Sequence, residues 1–258
     1  MSQKKFNHKK RFGQNFLINE NIILQIANSI DYKNNSQIIE IGPGLGALTK
    51  HLIKKCEPII IEIDAEAICY LQKNLSKKLN IIHADFLKLN LNSILKKKNI
   101  IIGNFPYNIS TQILFKILEH KNKIETVVGM FQKEVSERIC SKPGSKKYGI
   151  TSVLVQAYYN TQILFNVNSD NFRPKPKVES TVIKLTRNNT KKINCNEDVF
   201  KSLVKQSFNL RRKKIRNAIK LNIIDLIKID LDLLDKRAEE LSVEDFINLT
   251  NLITENES

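Results

Sequence analysis

The chain has 258 residues, 41% of them hydrophobic, and a formal charge of +16 at pH 7. That length suits one large domain, or a medium domain followed by a small one. No stretch approaches the roughly 18–20 apolar residues of a membrane span, the basic N-terminus "MSQKKFNHKKRFGQNF" lacks the apolar core of a secretory signal, and Cys56, Cys69, Cys140 and Cys195 never reach C-x-x-C spacing, so a membrane protein, a secreted disulfide scaffold and a zinc cluster are disfavoured and a metal-free cytoplasmic protein is expected.

No acidic residue precedes Glu20, and Lys10 and Arg11 stand beside Phe12 and Phe16 with Gly13 as a hinge, which suggests an arm able to close over a cofactor and RNA. Short apolar runs then alternate with helical patterns. Strands are expected at 38–41, 59–63, 80–83, 99–103, 125–130, 162–167 and 180–186, and helices at 47–55, 65–78 and 110–119. In the last of these, Ile113 with Ile117 and Leu114 with Leu118 repeat at i, i+4 and form one apolar face. Such alternation predicts a mostly parallel sheet covered on both sides, an α/β fold of Rossmann type.

The pattern changes after residue 187. "RNNTKKINCNED" is polar and linker-like, and only helical periods follow, so a small all-α domain is expected over 188–258 after a sheet domain over 1–187. One helix is marked by Phe200, Leu203, Val204, Ser207 and Phe208, another by Ser242 as N-cap ahead of Phe246, Leu249, Leu252 and Ile253. Charge is clustered here. Residues 201–220 hold eight basic and no acidic side chains, whereas 225–258 hold ten acidic and three basic, a net −7. Arg211, Arg212, Lys213, Lys214 and Arg216 at a helix start suit phosphate contacts, as do Lys146 and Lys147 in the loop "KPGSKKYG". Nucleic acid is the expected partner.

Three strand ends carry the chemistry. "IIEIGPGLGALT" places Gly42, Gly44 and Gly46 between the first strand and a helix, where the backbone can approach a ligand closely. Glu62 ends the next strand and can accept from ribose hydroxyls; Asp85 follows the third and can accept from an adenine amine. The spacing G-x-G-x-G departs from the G-x-G-x-x-G of pyrophosphate-binding loops. The set therefore points to a nucleoside ligand without phosphates, S-adenosylmethionine foremost and NAD the alternative.

The fourth strand ends in "GNFPYN", on the same sheet edge. An exocyclic adenine amine is a poor nucleophile because its lone pair is delocalised into the ring. Two acceptors that bind its hydrogens free that lone pair, and Asn104 Oδ1 with the Pro106 carbonyl can supply them. Tyr107 can stack on the base. Catalysis of this kind is mainly positioning for in-line methyl transfer.

With these residues in view, the chain resembles the ribosomal RNA adenine dimethyltransferases, above all their bacterial small-subunit (16S) branch. The segments that carry the likeness run almost end to end: "KRFGQNFL", "EIGPGLGALT", "IEID", "GNFPYNIS", "MFQKEVSERI", "KPGSKKYGITSV", "FRPKPKVES", "RRKKIRNAI" and "RAEELSVEDF". The resemblance implies a class I methyltransferase sheet with a small helical domain, S-adenosylmethionine as donor, and dimethylation at N6 of two adjacent adenines near the 3′ end of 16S rRNA in a pre-assembled small subunit. It implies donor contacts from Asn15, Leu17, Gly42, Gly44, Glu62, Asp85 and Asn104, and base contacts from Asn104, Pro106 and Tyr107, with Phe172 on the other face. Phe105 stands where the family commonly has Leu, and a packing change is expected there. The rivals are a large-subunit (23S) adenine methyltransferase and a non-catalytic assembly factor on the same fold. A monomer is expected.

Overall fold

The computed structural model describes residues 13–33, 36–75, 78–190, 192–219 and 231–254. Two compact units emerge: residues 1–136 with 162–187, and 137–161 with 188–258. A single cut at 187/188 therefore does not describe the chain. Helix Ile150–Gln156 packs against helix Glu197–Asn209, which draws 137–161 into the second unit.

The first unit is built on a seven-stranded sheet. Its strands are β2 (Gln37–Ile41), β3 (Ile59–Glu62), β4 (Asn80–His83), β5 (Asn99–Asn104), β6 (Ile124–Gln132), β7 (Tyr159–Val167) and β9 (Ser180–Arg187), in the order β4-β3-β2-β5-β6-β9-β7. All seven lie where the apolar runs predicted them. The pairs β3–β4, β2–β3, β2–β5 and β5–β6 are parallel, and β6–β9 is antiparallel. Isoleucine-rich runs suit strands covered on both faces, and Ile100, Ile101 and Ile102 of β5 are all buried.

The helices of this unit that bear on the site are α1 (Glu20–Asn28), α2 (Thr49–Leu52), α3 (Ala65–Asn74) and α4 (Ser110–Glu119). The helix expected over 47–55 is shorter, Thr49–Leu52, with Gly46 at a φ of +79° in the turn that precedes it. Two features escaped the sequence. Helix α1 starts at Asn19, whose side chain accepts from the Asn21 and Ile22 N–H groups. A two-stranded sheet pairs β1 (Phe16–Leu17) with β8 (Phe172–Arg173), and two residues per strand leave no period to read. Phe105 is fully buried and meets Phe131 edge-on at 5.2 Å. A Cβ at Gly129 would lie 2.4 Å from its ring, so the glycine provides the room for the larger side chain.

In the second unit, Phe200, Leu203, Val204 and Ser207 are buried along helix Glu197–Asn209, and Phe246 and Leu249 along helix Val243–Thr254, the faces expected from the sequence. Ser242 caps the latter helix, its hydroxyl accepting from the Asp245 N–H at 3.1 Å. Phe208 lies between Tyr148 and Phe246, at centroid distances of 6.2 and 6.0 Å.

The foot of β5 is fastened by Asn99, a fully buried amide. Its Oδ1 accepts from Gln37 Nε2 (3.2 Å) and the Lys96 N–H (3.1 Å), and its Nδ2 donates to the carbonyls of Lys96 (2.8 Å) and Lys123 (2.7 Å). Asn99→Ala leaves these groups without partners and is expected to cost about 3 kcal/mol of stability in chemical denaturation. An unchanged midpoint would show that the network does not hold the strand.

Candidate active site

The strand order reverses between β2 and β5: the chain winds outward through β3 and β4 on one side, then returns to pair β5 on the other. Ligands bind at such a reversal, beyond the carboxyl ends of the strands. A cavity of about 450 Å³ opens there. It is lined by the arm from Gly13 to Ile18, the glycine loop, Glu62 and Ile63, Asp85 to Leu87, and the stretch from Asn104 to Ile109. Asn15, Leu17, Gly42, Gly44, Glu62, Asp85, Asn104, Pro106 and Tyr107 are thus brought together as the sequence led us to expect.

The three glycine amides of the loop are already engaged. The Gly42 N–H donates to the Ile61 carbonyl (3.0 Å), the Gly44 N–H to Glu62 Oε2 (3.2 Å), and the Gly46 N–H to the Pro43 carbonyl (2.9 Å). A pyrophosphate site needs such amides free. No Lys, Arg or His lines the cavity among the described residues, while Glu40, Glu62 and Asp85 do. In a chain of +16 this acidic cavity suits a cationic donor such as S-adenosylmethionine and argues against NAD. Phe16 covers the loop, since a Cβ at Gly44, where φ is +55°, would lie 2.6 Å from its ring.

Glu62 is 5% exposed and also accepts through Oε1 from the Ile63 and Asp64 N–H groups, both at 2.8 Å. A carboxylate has about four lone-pair sites, so three backbone donors leave room for one more from a ligand. Burial raises its pKa, and the N–H groups of Asp64, Gly44 and Ile63 oppose the shift. Behind the loop, Glu40 is fully enclosed and accepts from Thr49 Oγ1 at 2.7 Å. Burial pushes its pKa up to about 8; the Thr49 bond works against this and the nearby Glu62 with it.

At the rim, Asn104 Nδ2 donates to the Asn15 carbonyl at 2.9 Å. That bond sets the amide's orientation and leaves Oδ1 as an acceptor. The Pro106 carbonyl accepts from the Ile109 N–H at 3.1 Å, which uses one of its two lone pairs. The Tyr107 hydroxyl is bonded to the buried Ser180 Oγ, so the half-buried ring is held at its far end. Burial raises the Tyr107 pKa, with Ser180 opposing. Neither the Asn15 carbonyl nor Ser180 was singled out in these roles from sequence, although "GQNFL" and "FRPKPKVES" contain them.

Other expected residues sit differently. Phe172 is fully buried in the apolar core beside Leu17, its partner in β1, and does not line the cavity. In this conformation it is a core residue with no free face for a base. Lys10 and Arg11 lie outside the described residues. In the second unit, Arg211 pairs with Glu239 and donates to the Lys146 carbonyl, Lys147 pairs with Glu137 at 2.7 Å, and Lys214 and Arg216 share Asp235. The basic cluster is therefore largely answered by acids of its own unit. Lys146, Arg212 and Lys213 are exposed, with no side-chain ion pair among the described residues.

A cavity that suits a nucleoside yet rejects its phosphates places this fold among the class I, S-adenosylmethionine-dependent methyltransferases. Within that class the chain belongs to the ribosomal RNA adenine dimethylase family, whose profile matches residues 5–255. It is 47% identical to "Ribosomal RNA small subunit methyltransferase A" of Cytophaga hutchinsonii, over 97% of this chain and 98% of that one. To the protein of the same name from Flavobacterium johnsoniae it is 49% identical, over 96% and 97%. Among solved structures, a dimethyladenosine transferase from Plasmodium falciparum superposes with a TM-score of 0.81 at 25% identity, covering 93% of this chain and 98% of that one. The 23S rRNA methyltransferase ErmE shares the fold, with a TM-score of 0.73 at 22% identity, covering 93% of this chain and all of that one.

The Glu40 shift has a sign that can be tested. Between the usual glutamate value of 4.5 and about 8, the native state holds a proton that the unfolded chain has lost. Stability therefore falls as pH rises through that window, and Glu62 adds in the same direction. Glu40→Gln mimics the protonated carboxyl, so its Tm is expected to fall less than that of the unaltered chain between about pH 5 and about pH 8. Parallel curves for the two proteins would refute the assignment.

Proposed function

We infer that the protein dimethylates N6 of two adjacent adenines near the 3′ end of 16S rRNA, acts on the small subunit in the cytoplasm, and takes its methyl groups from S-adenosylmethionine. The observation that carries this reading is the Asn104 amide, which lines the cavity: Nδ2 is held by the Asn15 carbonyl, and Oδ1 remains to act as the acceptor that an adenine amine requires. Glu62, Asp85, Leu17 and the Gly42–Gly44 turn hold the donor, which when bound supplies an electrophilic methyl group on a sulfonium. Asn104 Oδ1 and the free lone pair of the Pro106 carbonyl accept the two amine hydrogens and bring the nitrogen's lone pair out of conjugation. Tyr107 stacks on the base, and Ser180 limits the ring's motion. No strong base is needed, because the N-methylated product cation gives its proton readily to water.

Lys146, Arg212 and Lys213 are the side chains best placed by exposure to meet RNA phosphates, with Arg211, Lys147, Lys214 and Arg216 available by exchange of their ion pairs. For Phe172 to stack on the base, the β1–β8 pair would have to shift. The small subunit is favoured as substrate because relatives 41–49% identical bear its name, whereas the likeness to the 23S enzyme is one of fold.

Transfer of labelled methyl from S-adenosylmethionine to unmodified small subunits tests the assignment. N6,N6-dimethyladenosine is expected from the unaltered protein, and Asn104→Ala should lower the rate about 100–1000-fold, the usual cost of losing one preorganised polar contact at a reacting centre. Label appearing in large-subunit RNA instead would overturn the substrate. Tyr107→Ala should lower kcat/KM about 10–100-fold through lost stacking, and Tyr107→Phe, which keeps the ring and loses Ser180, should fall well short of that. Equal losses in both would place the effect in the hydroxyl.

A further inference from the structure

Lys116 sits on α4, six residues into the helix that follows the Asn-Phe-Pro-Tyr corner, on no face that the cavity touches. Its Nζ donates to the Leu87 carbonyl at 2.7 Å and to the Leu89 carbonyl at 2.6 Å. It also lies 5.6 Å from the centroid of the Phe86 ring. Leu87 and Leu89 belong to the loop that leaves β4. Asp85, Phe86 and Leu87 of that loop form one wall of the cavity.

Asp85 organises the loop from within: its Oδ1 accepts from the Leu87 N–H at 2.9 Å, and its carbonyl from the N–H groups of Lys88 and Leu89, both at 3.0 Å. The Ala84 N–H ties the loop's start to the Glu62 carbonyl at 2.9 Å. These bonds shape a turn, and the buried Phe86 ring packs it inward. Lys116 adds the hydrogen bonds that tie its far side to α4. An ammonium is a compact charge with three donors, and two of them close on carbonyls two residues apart. The charges that face it are Asp85 on the loop and Glu119 one turn along α4, both attractive, against the burial that lowers its pKa.

We propose that Lys116 is a positioning residue for donor binding: it clamps the Asp85–Leu89 loop to α4 and so sets the cavity wall that faces the adenine end of the donor. The clamp spans two parts of the site that the chain builds separately, since the helix that carries Lys116 begins at Ser110, directly after the corner that handles the target base. This rests on the reading of the cavity as a donor site.

The test is calorimetric binding of S-adenosylhomocysteine to the full chain, with steady-state kinetics on small subunits alongside. Lys116→Met keeps the alkyl stem and removes the donors. It is expected to weaken binding and raise the donor KM about tenfold, the worth of a hydrogen bond to a charged group. At saturating donor, kcat, the KM for subunits and the Tm should stay close to those of the unaltered chain. Lys116→Arg, which keeps the charge, should recover part of the affinity. In a double variant with Asp85→Ala the two losses should not multiply, because both act through one loop.

Unchanged affinity in Lys116→Met would overturn the proposal, as would a fall in kcat and Tm that Lys116→Arg does not relieve or a double variant in which the losses multiply in full. If the unaltered chain itself binds no S-adenosylhomocysteine, the donor-site reading fails and the clamp falls with it.

Discussion

The site depends on a carboxylate buried at the end of a strand. Glu62 collects N–H groups from Gly44, Ile63 and Asp64, and in doing so ties the glycine loop after β2 to the start of α3. A buried carboxylate is costly unless it is hydrogen-bonded. Here the loop's own amide supplies part of that compensation, so the loop takes the shape that the charge requires. The consequence is chemical as well as structural. An amide engaged with Glu62 cannot cradle a phosphate, and among the described residues the cavity walls carry acids and no basic side chain. The same constraint that shapes the loop thus selects a cationic nucleoside donor over a dinucleotide.

Opposite this donor wall, the target side is organised by hydrogen bonds that spend one end of a group and leave the other free. Asn104 gives its amino end to the Asn15 carbonyl and keeps its oxygen. Pro106 has no N–H and keeps part of its carbonyl. Tyr107 gives its hydroxyl to Ser180 and keeps a ring face. The partners of Asn104 and Tyr107 come from distant parts of the chain, the arm before β1 and the head of β9, while Pro106 is met by the nearby Ile109 N–H. The corner is therefore rigid without being saturated, which is what a site that works by positioning needs.

The charge pattern of the second unit has a comparable economy. Its basic first half and acidic second half meet in ion pairs, Arg211 with Glu239 and Lys214 and Arg216 with Asp235. These pairs are partly exposed and worth little in water. A phosphate backbone offers the same cations a denser array of negative charge, with release of counterions in return. The pairs consequently restrain the basic surface without neutralising it permanently.

What the sequence alone determined is what local pattern and motif spacing can carry. Seven apolar runs specified seven strands; at the sheet centre, as in β5, the strand is buried on both faces and has no polar option, while the edge strands β4 and β7 keep exposed positions. Glycine spacing with Glu62 and Asp85, and the corner "GNFPYN", marked residues that the fold gathers around one cavity. Tertiary structure decided what depends on distant partners. The β1–β8 pair, the burial of Phe172, the Asn15 carbonyl on Asn104 and the Lys116 clamp join residues 27 to 157 positions apart, and nothing in the local sequence announces such a contact. The same holds for residues 137–161, whose place in the second unit follows from packing between helices that the sequence does not show side by side. Charge density at Arg211–Arg216 was plain from composition; that its own acids neutralise much of it emerged only when the fold brought the two halves of the unit together.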